Sequence, residues 1–375
     1  MKPPSSLYHR FTLVIFVTYC LTEAARTGST SFAGSNNYFL HALPEDTQRQ
    51  HVETLAGWGV KVMRLWVTNI NEGCLKGSTD AKYIPPLEAT VGSYDTTVLE
   101  ALDNTLKLLH SNGMKAIVSP HNANSITGDA TCDAYCEKYI DASTFYSSTE
   151  AKTDYDTRLA AILGFESPNF GRPWKDLDDV ILTFDLQNEP LIQQIDKLNA
   201  NDPDDWLCGR AGVLRSILSS SNIKVATGGI GGSHYCCDHE FNLLEKALQC
   251  DALDVMSVHG YMSKASDWAY FITGDKSVLT QASAKGKNVM IEEWGVSTDF
   301  EDSFEAQVKV FNEAGVPWLY WQVVPGLDGS QEGAPVSCQY DEFEIGVNSG
   351  KGDVAAAVAL ANAAAANQSW AGYFD

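Results

Sequence analysis

The chain has 375 residues, of which 44% are hydrophobic, and carries 26 basic against 48 acidic side chains, a formal charge of -22 with a pI near 4.6. Such a surface repels nucleic acid and anionic membrane, so neither is an expected partner and a neutral substrate fits better. After the first two dozen residues no segment approaches the roughly 18 consecutive apolar residues that a membrane-spanning helix needs.

The amino terminus places Lys2 and Arg10 before an apolar run from Phe11 to Leu21, followed by Thr22-Glu23-Ala24-Ala25. This pattern reads as a secretory signal peptide over residues 1–24, leaving an exported domain of 25–375. Cys20 leaves with the leader, and the eight cysteines that remain are Cys74, Cys132, Cys136, Cys208, Cys236, Cys237, Cys250 and Cys338. In an oxidising compartment they imply up to four disulfides, with the connectivity open. The run His234-Tyr235-Cys236-Cys237-Asp238-His239 also admits a metal site, but adjacent cysteines space poorly around one tetrahedral zinc. Near the other end, Asn367-Gln368-Ser369 is an acceptor sequence for N-glycosylation.

From Phe32 onward, β-prone runs alternate with amphipathic helical ones, the signature of βαβ units and a parallel sheet. Eight strands are expected, near Phe32 to Asn36, Val60 to Trp66, Lys115 to Ser119, Val180 to Leu186, Lys224 to Ala226, Val255 to Val258, Val289 to Ile291 and Trp318 to Trp321. The clearest helix runs from Thr96 to Asn112, with Asp95 to cap it, Gly113 to end it, and Val98, Leu102, Leu106 and Leu109 as its buried stripe. A second, Ser303 to Ala314, buries Phe304, Val308 and Phe311 and stops at Gly315. The last lies in the alanine-rich stretch Asp353 to Ala366. Eight such units without a Pro/Ser/Thr-rich linker predict one α/β domain, a (β/α)8 TIM barrel. Its long loops after strands three, four and eight contain Trp174, Trp206 and Cys338 and are expected to wall a cleft.

Chemistry in such a barrel sits at the carboxyl ends of the strands. Those ends supply Arg64, His121, Asn188 with Glu189, His259 with Tyr261, Glu292 with Glu293, and Trp321. The stretch Val180 to Pro190 is the most explicit, since an apolar run ends abruptly in Gln187, Asn188 and Glu189. Each position alone has a structural explanation: an arginine pairing with nearby acids, histidines at a rim, tryptophans in a core. Together they equip a site to cleave an acetal, where one carboxyl protonates the leaving oxygen and the other attacks or stabilises an oxocarbenium-like centre. That chemistry requires no metal or organic cofactor.

Six motifs, VMRLW, SPHN, LQNEP, SVHGY, IEEWG and LYWQ, span Arg64 to Trp321 in this order. Through them the chain resembles the secreted retaining glycosidases of glycoside hydrolase family 5, the group of cellulases and endo-β-mannanases. The resemblance implies that Glu189 is the general acid/base and Glu293, which precedes Trp294 and Gly295, the nucleophile. Glu292 is then the neighbour pointing the other way along the strand. Arg64 and Tyr261 are expected to keep Glu293 ionised, whereas Glu189 needs a raised pKa. Asn188 would bond the sugar 2-hydroxyl, His121 and His259 would contact sugar hydroxyls or orient the acid, and Trp321 would stack under the ring. Retention requires the two carboxyl groups about 5 to 5.5 Å apart, whereas a gap near 8 Å implies inversion.

FAGSNNYFLHAL resembles the first strand of the family's endo-β-1,4-mannanases, which favours a β-linked polysaccharide such as mannan as substrate. TNINEGCLKGST and the residues after LQNEP depart from that pattern, so a β-1,4-glucanase, a β-1,3- or β-1,6-glycanase and an exo-acting enzyme remain alternatives. An inactive carbohydrate-binding protein on the same barrel is the alternative of another class. Monomer is the default for such a chain.

Overall fold

The computed structural model describes residues 29–127, 132–233, 235–236, 239–240, 242–274, 277–326 and 336–374. The segments buried at nearly every position form eight strands: β1 (Ala33–Asn36), β2 (Val62–Trp66), β3 (Lys115–Ser119), β4 (Ile181–Asp185), β5 (Lys224–Ala226), β6 (Val255–Gly260), β7 (Asn288–Trp294) and β8 (Trp318–Tyr320). They pair in parallel in chain order, and β1 closes the barrel against β8. All eight expected strands are present. β6 and β7 run further toward the mouth than their apolar residues alone indicated. The signal peptide expected over residues 1–24 lies outside the described residues.

Alternation decides which side chains fill the barrel. Its floor takes one apolar group from each strand region: Phe32, Val62, Ile117, Leu182, Ala226, Val255, Met290 and Leu319, sealed from below by Ala366 and Trp370. The opposite faces pack against the surrounding helices. The helix expected after Asp95 spans Thr97–Ser111, and Asp95 Oδ1 accepts the Thr97 N–H at 3.0 Å. Its stripe of Val98, Leu102, Leu106 and Leu109 is buried. The Phe304–Ala314 helix is capped by Ser303 and ends at Gly315, whose φ of 65° suits glycine. Val354–Ala363 completes the ring, capped by Asp353.

Among the described residues three disulfides form: Cys74–Cys338, Cys132–Cys136 and Cys208–Cys250. The first ties the loop after β2 to the loop after β8 across 264 positions. The side chains of the His234 to His239 run, with Cys236 and Cys237, lie outside the described residues. Trp174 and Trp206 do not wall a cleft, contrary to expectation. Both are fully buried. Trp174 Nε1–H donates a hydrogen bond to Asp103 on the 97–111 helix, and Trp206 packs on Tyr146 and Tyr155, because large rings gain most by complete burial.

Two histidines, His41 and His51, the latter on the Glu45–Gly57 helix, are buried, and desolvation lowers their pKa to about 4 and about 3. Unfolding returns them to the ordinary value, so below about pH 6.5 the unfolded chain binds more protons and stability falls with pH. Each histidine is expected to remove about 1.4 kcal/mol per pH unit between roughly pH 6 and 4. His51→Leu should flatten that slope by one proton, as read from denaturant midpoints across this range.

Candidate active site

Arg64 is the centre from which the mouth of the barrel is built. It lies on β2 with no exposure, its guanidinium 4.3 Å above the Trp66 ring. Nε donates to Asp185 Oδ2 of β4 at 3.0 Å and lies 3.5 Å from Glu292 Oε2 of β7. Nη1 donates to Glu293 Oε2 at 3.2 Å, and Nη2 to Asn188 Oδ1 at 2.8 Å. Asn36 at the end of β1 adds its Oδ1 to Nη1, and its amide reaches the carbonyls of Glu292 and Tyr320. Ser119 of β3 bonds both Arg64 and Asp185.

The second cation is His259 on β6. Its Nδ1 lies 3.2 Å from Glu189 Oε1 and 3.5 Å from Glu293 Oε2, and its Nε2 lies 3.1 Å from Glu292 Oε2. Burial pulls the imidazole down, but the encircling carboxylates of Glu293, Glu189 and Glu292 raise it to about 10. A carboxylate oxygen from each of Glu189 and Glu293 and a ring nitrogen of His259 all lie within 4.8 Å of one another. A ring donating from both nitrogens has no lone pair for a metal, so this triad reads as a proton-sharing set.

Glu292 does not point away from the site, and the reason is a β-bulge. β6 and β7 pair Val258 with Ile291 and then His259 with Glu293, while β7 and β8 pair Ile291 with Trp318 and Trp294 with Tyr320. β7 therefore carries one extra residue against both neighbours, and two successive carboxylates turn inward. Trp294 resumes the outward register and packs on Phe304, Phe311 and Trp318.

The protonation pattern also reverses the expectation for the free site. Burial raises Glu189, but the His259 hydrogen bond and charge outweigh it and hold the carboxyl below the usual range. Burial and the Glu189 charge push Glu293 up, despite His259, Arg64 and the Tyr261 hydroxyl, which donates to its Oε1 at 2.7 Å. The imidazolium lies nearer Glu189 than Glu293, so Glu189 receives more of its stabilisation. Two carboxyls this close release their protons as a pair.

Of the residues expected at the site, Arg64, Asn188, Glu189, His259, Tyr261 and Glu293 form one hydrogen-bonded group. Trp321 stands beside it, half-buried, stacked on Tyr38 at 6.1 Å and edge-on to Trp66 at 5.5 Å. His121 is not brought in. Its ring sits among Tyr135, Phe145 and Tyr155, with Nε2 2.6 Å from Asp133 and Nδ1 2.9 Å from the Gln187 amide. Its carbonyl still accepts the Asn188 N–H. The reading of strand ends missed Asn36, Ser119, Asp185 and Tyr38. It also missed Asn124, whose amide donates to Glu189 Oε2 at 2.8 Å.

A further omission is the glycine-rich turn after β5. A Cβ at Gly229 would sit 2.4 Å from the His259 ring, and one at Gly232 would sit 3.2 Å from the Glu189 carboxyl carbon. Glu189 itself holds a φ of 54°, uncommon for a residue with a side chain and of the kind that collects at working sites. The run Gly228-Gly229-Ile230-Gly231-Gly232 was the available signal.

A closed parallel barrel whose mouth holds facing carboxylates, an arginine, an imidazolium, a tyrosine and a tryptophan belongs to the class of (β/α)8 glycoside hydrolases. The chain belongs to glycosyl hydrolase family 5: the cellulase model of that family matches residues 24–326. Among solved structures it is similar to the hyperthermostable endo-1,4-β-D-mannanase from Thermotoga petrophila RKU-1, at 18% identity and a TM-score of 0.64, covering 89% of this chain and 99% of that one. The endo-1,4-β-mannanase from Rhizomucor miehei gives 17% and 0.63, covering 89% and 94%. The endo-β-1,4-glucanase Xac0029 from Xanthomonas axonopodis pv. citri gives 13% and 0.54, covering 89% and 99%. No curated protein sequence matches the chain.

Because Arg64 is buried against Asp185, Glu292 and Glu293, Arg64→Leu leaves carboxylates without their counter-charge. The expected loss is about 3–5 kcal/mol of unfolding free energy, measured by denaturant titration at neutral pH.

Proposed function

We propose that this family 5 enzyme is a retaining endo-β-1,4-mannanase in which Glu189 is the general acid/base and Glu293 the nucleophile. The observation that carries the mechanism is that one carboxylate oxygen of Glu189 and one of Glu293 lie within 4.8 Å of each other, which suits the short carboxyl separation of direct attack better than the wider gap by which inversion seats a water. In the first step Glu189 gives its proton to the glycosidic oxygen while Glu293 attacks the anomeric carbon, forming a glycosyl ester and releasing the leaving sugar. In the second, Glu189 removes a proton from water, which displaces Glu293 with net retention.

The reacting complex needs the shared proton on Glu189 and the charge on Glu293, the reverse of the free site. A glycosidic oxygen set against Glu189 supplies an acceptor for that proton, and positive charge developing at the anomeric carbon favours an ionised Glu293. Arg64 and Tyr261 hold the nucleophile by hydrogen bonds to its two oxygens. Asn188 has its Oδ1 held by Arg64 and one amide proton by Asn122, leaving the other proton for the 2-hydroxyl. Trp321, backed by Tyr38, offers an apolar face for the ring.

The endo reading draws on the endo-acting likenesses, and a cavity of about 650 Å³ lined by Tyr38, Asn69, Asn71, Glu88, Asn122 and Asp133 adjoins the site. The mannan choice draws on the two mannanase likenesses, and the glucanase likeness makes β-1,4-glucan the second reading. Export fits the disulfides, which persist in oxidising compartments, and Asn367 of the glycosylation sequence is exposed.

The test is a product profile on galactomannan, glucomannan, carboxymethyl cellulose, and β-1,3- and β-1,6-linked polymers. Short manno-oligosaccharides are expected, with Glu189→Gln slower by about 10²- to 10⁴-fold. Cleavage of another polymer alone would keep the mechanism and discard the sugar. Glu293→Ala is expected to fold and to lose turnover. Added azide should then yield a glycosyl azide of inverted configuration, and wild-type activity in this variant would remove Glu293 as nucleophile.

A further inference from the structure

Glu292 has no part in the double displacement, yet it is fully buried at the most crowded point of the site. Ser257 Oγ donates to its Oε1 at 2.9 Å, and its Oε2 faces His259 Nε2 and Arg64 Nε. The opposite nitrogen of the same imidazole faces Glu189 and Glu293. A neutral imidazole has one N–H, which leaves a ring lone pair against a carboxylate on one side, whereas an imidazolium satisfies both sides. The ring is fixed in place. The Gly229 backbone lies against it, and the Asn242 amide bonds the backbone N–H and C=O of His259.

We propose that Glu292 is a positioning residue which, through His259, sets the protons that Glu189 and Glu293 carry. This rests on the double-displacement reading above. Among the described residues, the charged groups around the ring are Glu189 beyond the end of β4, Glu292 and Glu293 of β7, Arg64 of β2 and, behind Arg64, Asp185 of β4. With Glu292 ionised, His259 holds both protons, and its Nδ1–H is directed at Glu189. Without that charge Glu189 and Glu293 still face Nδ1, but Nε2 loses the carboxylate it faces, so the ring gives up its second proton at a lower pH. Losing one negative charge loosens the protons shared among His259, Glu189 and Glu293, and both limbs of the rate profile move to lower pH.

The experiment uses the full chain with Glu292→Gln, which keeps the shape without the charge, and Glu292→Asp, which keeps the charge. The first readout is the ¹⁵N spectrum of the His259 imidazole in unliganded protein. The second is kcat/KM against pH on the best polysaccharide. The expected result is a ring that is doubly protonated through neutral pH in wild type and in Glu292→Asp, and that loses its second proton at least about one pH unit lower in Glu292→Gln. The pH optimum of Glu292→Gln should fall by about one unit. A neutral ring in wild type, or a ring deprotonation unchanged in Glu292→Gln, overturns the inference. So does a Glu292→Gln activity loss that is uniform at every pH, the mark of a merely structural role. The spectrum needs no substrate, so the imidazole arm stands or falls even if no polysaccharide is cleaved and the hydrolase mechanism fails.

Discussion

The mouth of this barrel depends on one charge balance: Asp185, Glu189, Glu292 and Glu293 are buried around two cations, Arg64 and His259. Isolated carboxylates cannot be taken out of water at tolerable cost, so each must share a cation, receive hydrogen bonds or keep a proton. Arg64 suits the central place because its planar fork presents five donors that stay charged in burial. Its bonds reach groups from β1, β3, β4 and β7, so the same contacts that neutralise the acids also set how those strand ends lie. Burial and the Glu292 charge push Asp185 upward against that pull, which marks it as the acid where the balance is least complete.

The strand ends bring function out of this arrangement because the barrel converts distant segments into neighbours. Glu189 and Glu293 come from strands separated by β5 and β6, yet His259 touches both. The close approach is possible because the turn after β5 lacks side chains where it meets the imidazole and the acid. Compactness therefore comes from absent atoms at Gly229 and Gly232 as much as from the charged groups themselves.

Most of the fold was legible because its signal is repetitive: eight apolar runs, amphipathic helices between them, and a cap at Asp95. The hydrogen-bonded group at the mouth was legible where polar residues interrupt an apolar run at its end, as at Asn188, Glu189 and His259. What escaped has local causes. Glu292 was misplaced because strict alternation fails at a bulge, and nothing in IEEWG marks the extra residue. Asp185 was hidden inside an otherwise apolar strand. His121 occupies a strand end, but Asp133, supplied by a later loop, captures its ring. Trp174 and Trp206 sit in long connecting segments, although their rings turn into the core.

The pairing of β1 with β8 has a consequence for the order of events in synthesis. Ala33 to Ser35 must find Trp318 to Tyr320, and Phe32 is covered by Trp370 at a centroid distance of 5.1 Å. At ordinary ribosomal speed, roughly tens of seconds separate the emergence of these two edges. During that interval the first strand has one open side and an uncovered floor, a template for pairing with other chains. The nascent protein must therefore wait as an unclosed sheet, and translation speed becomes part of its solubility.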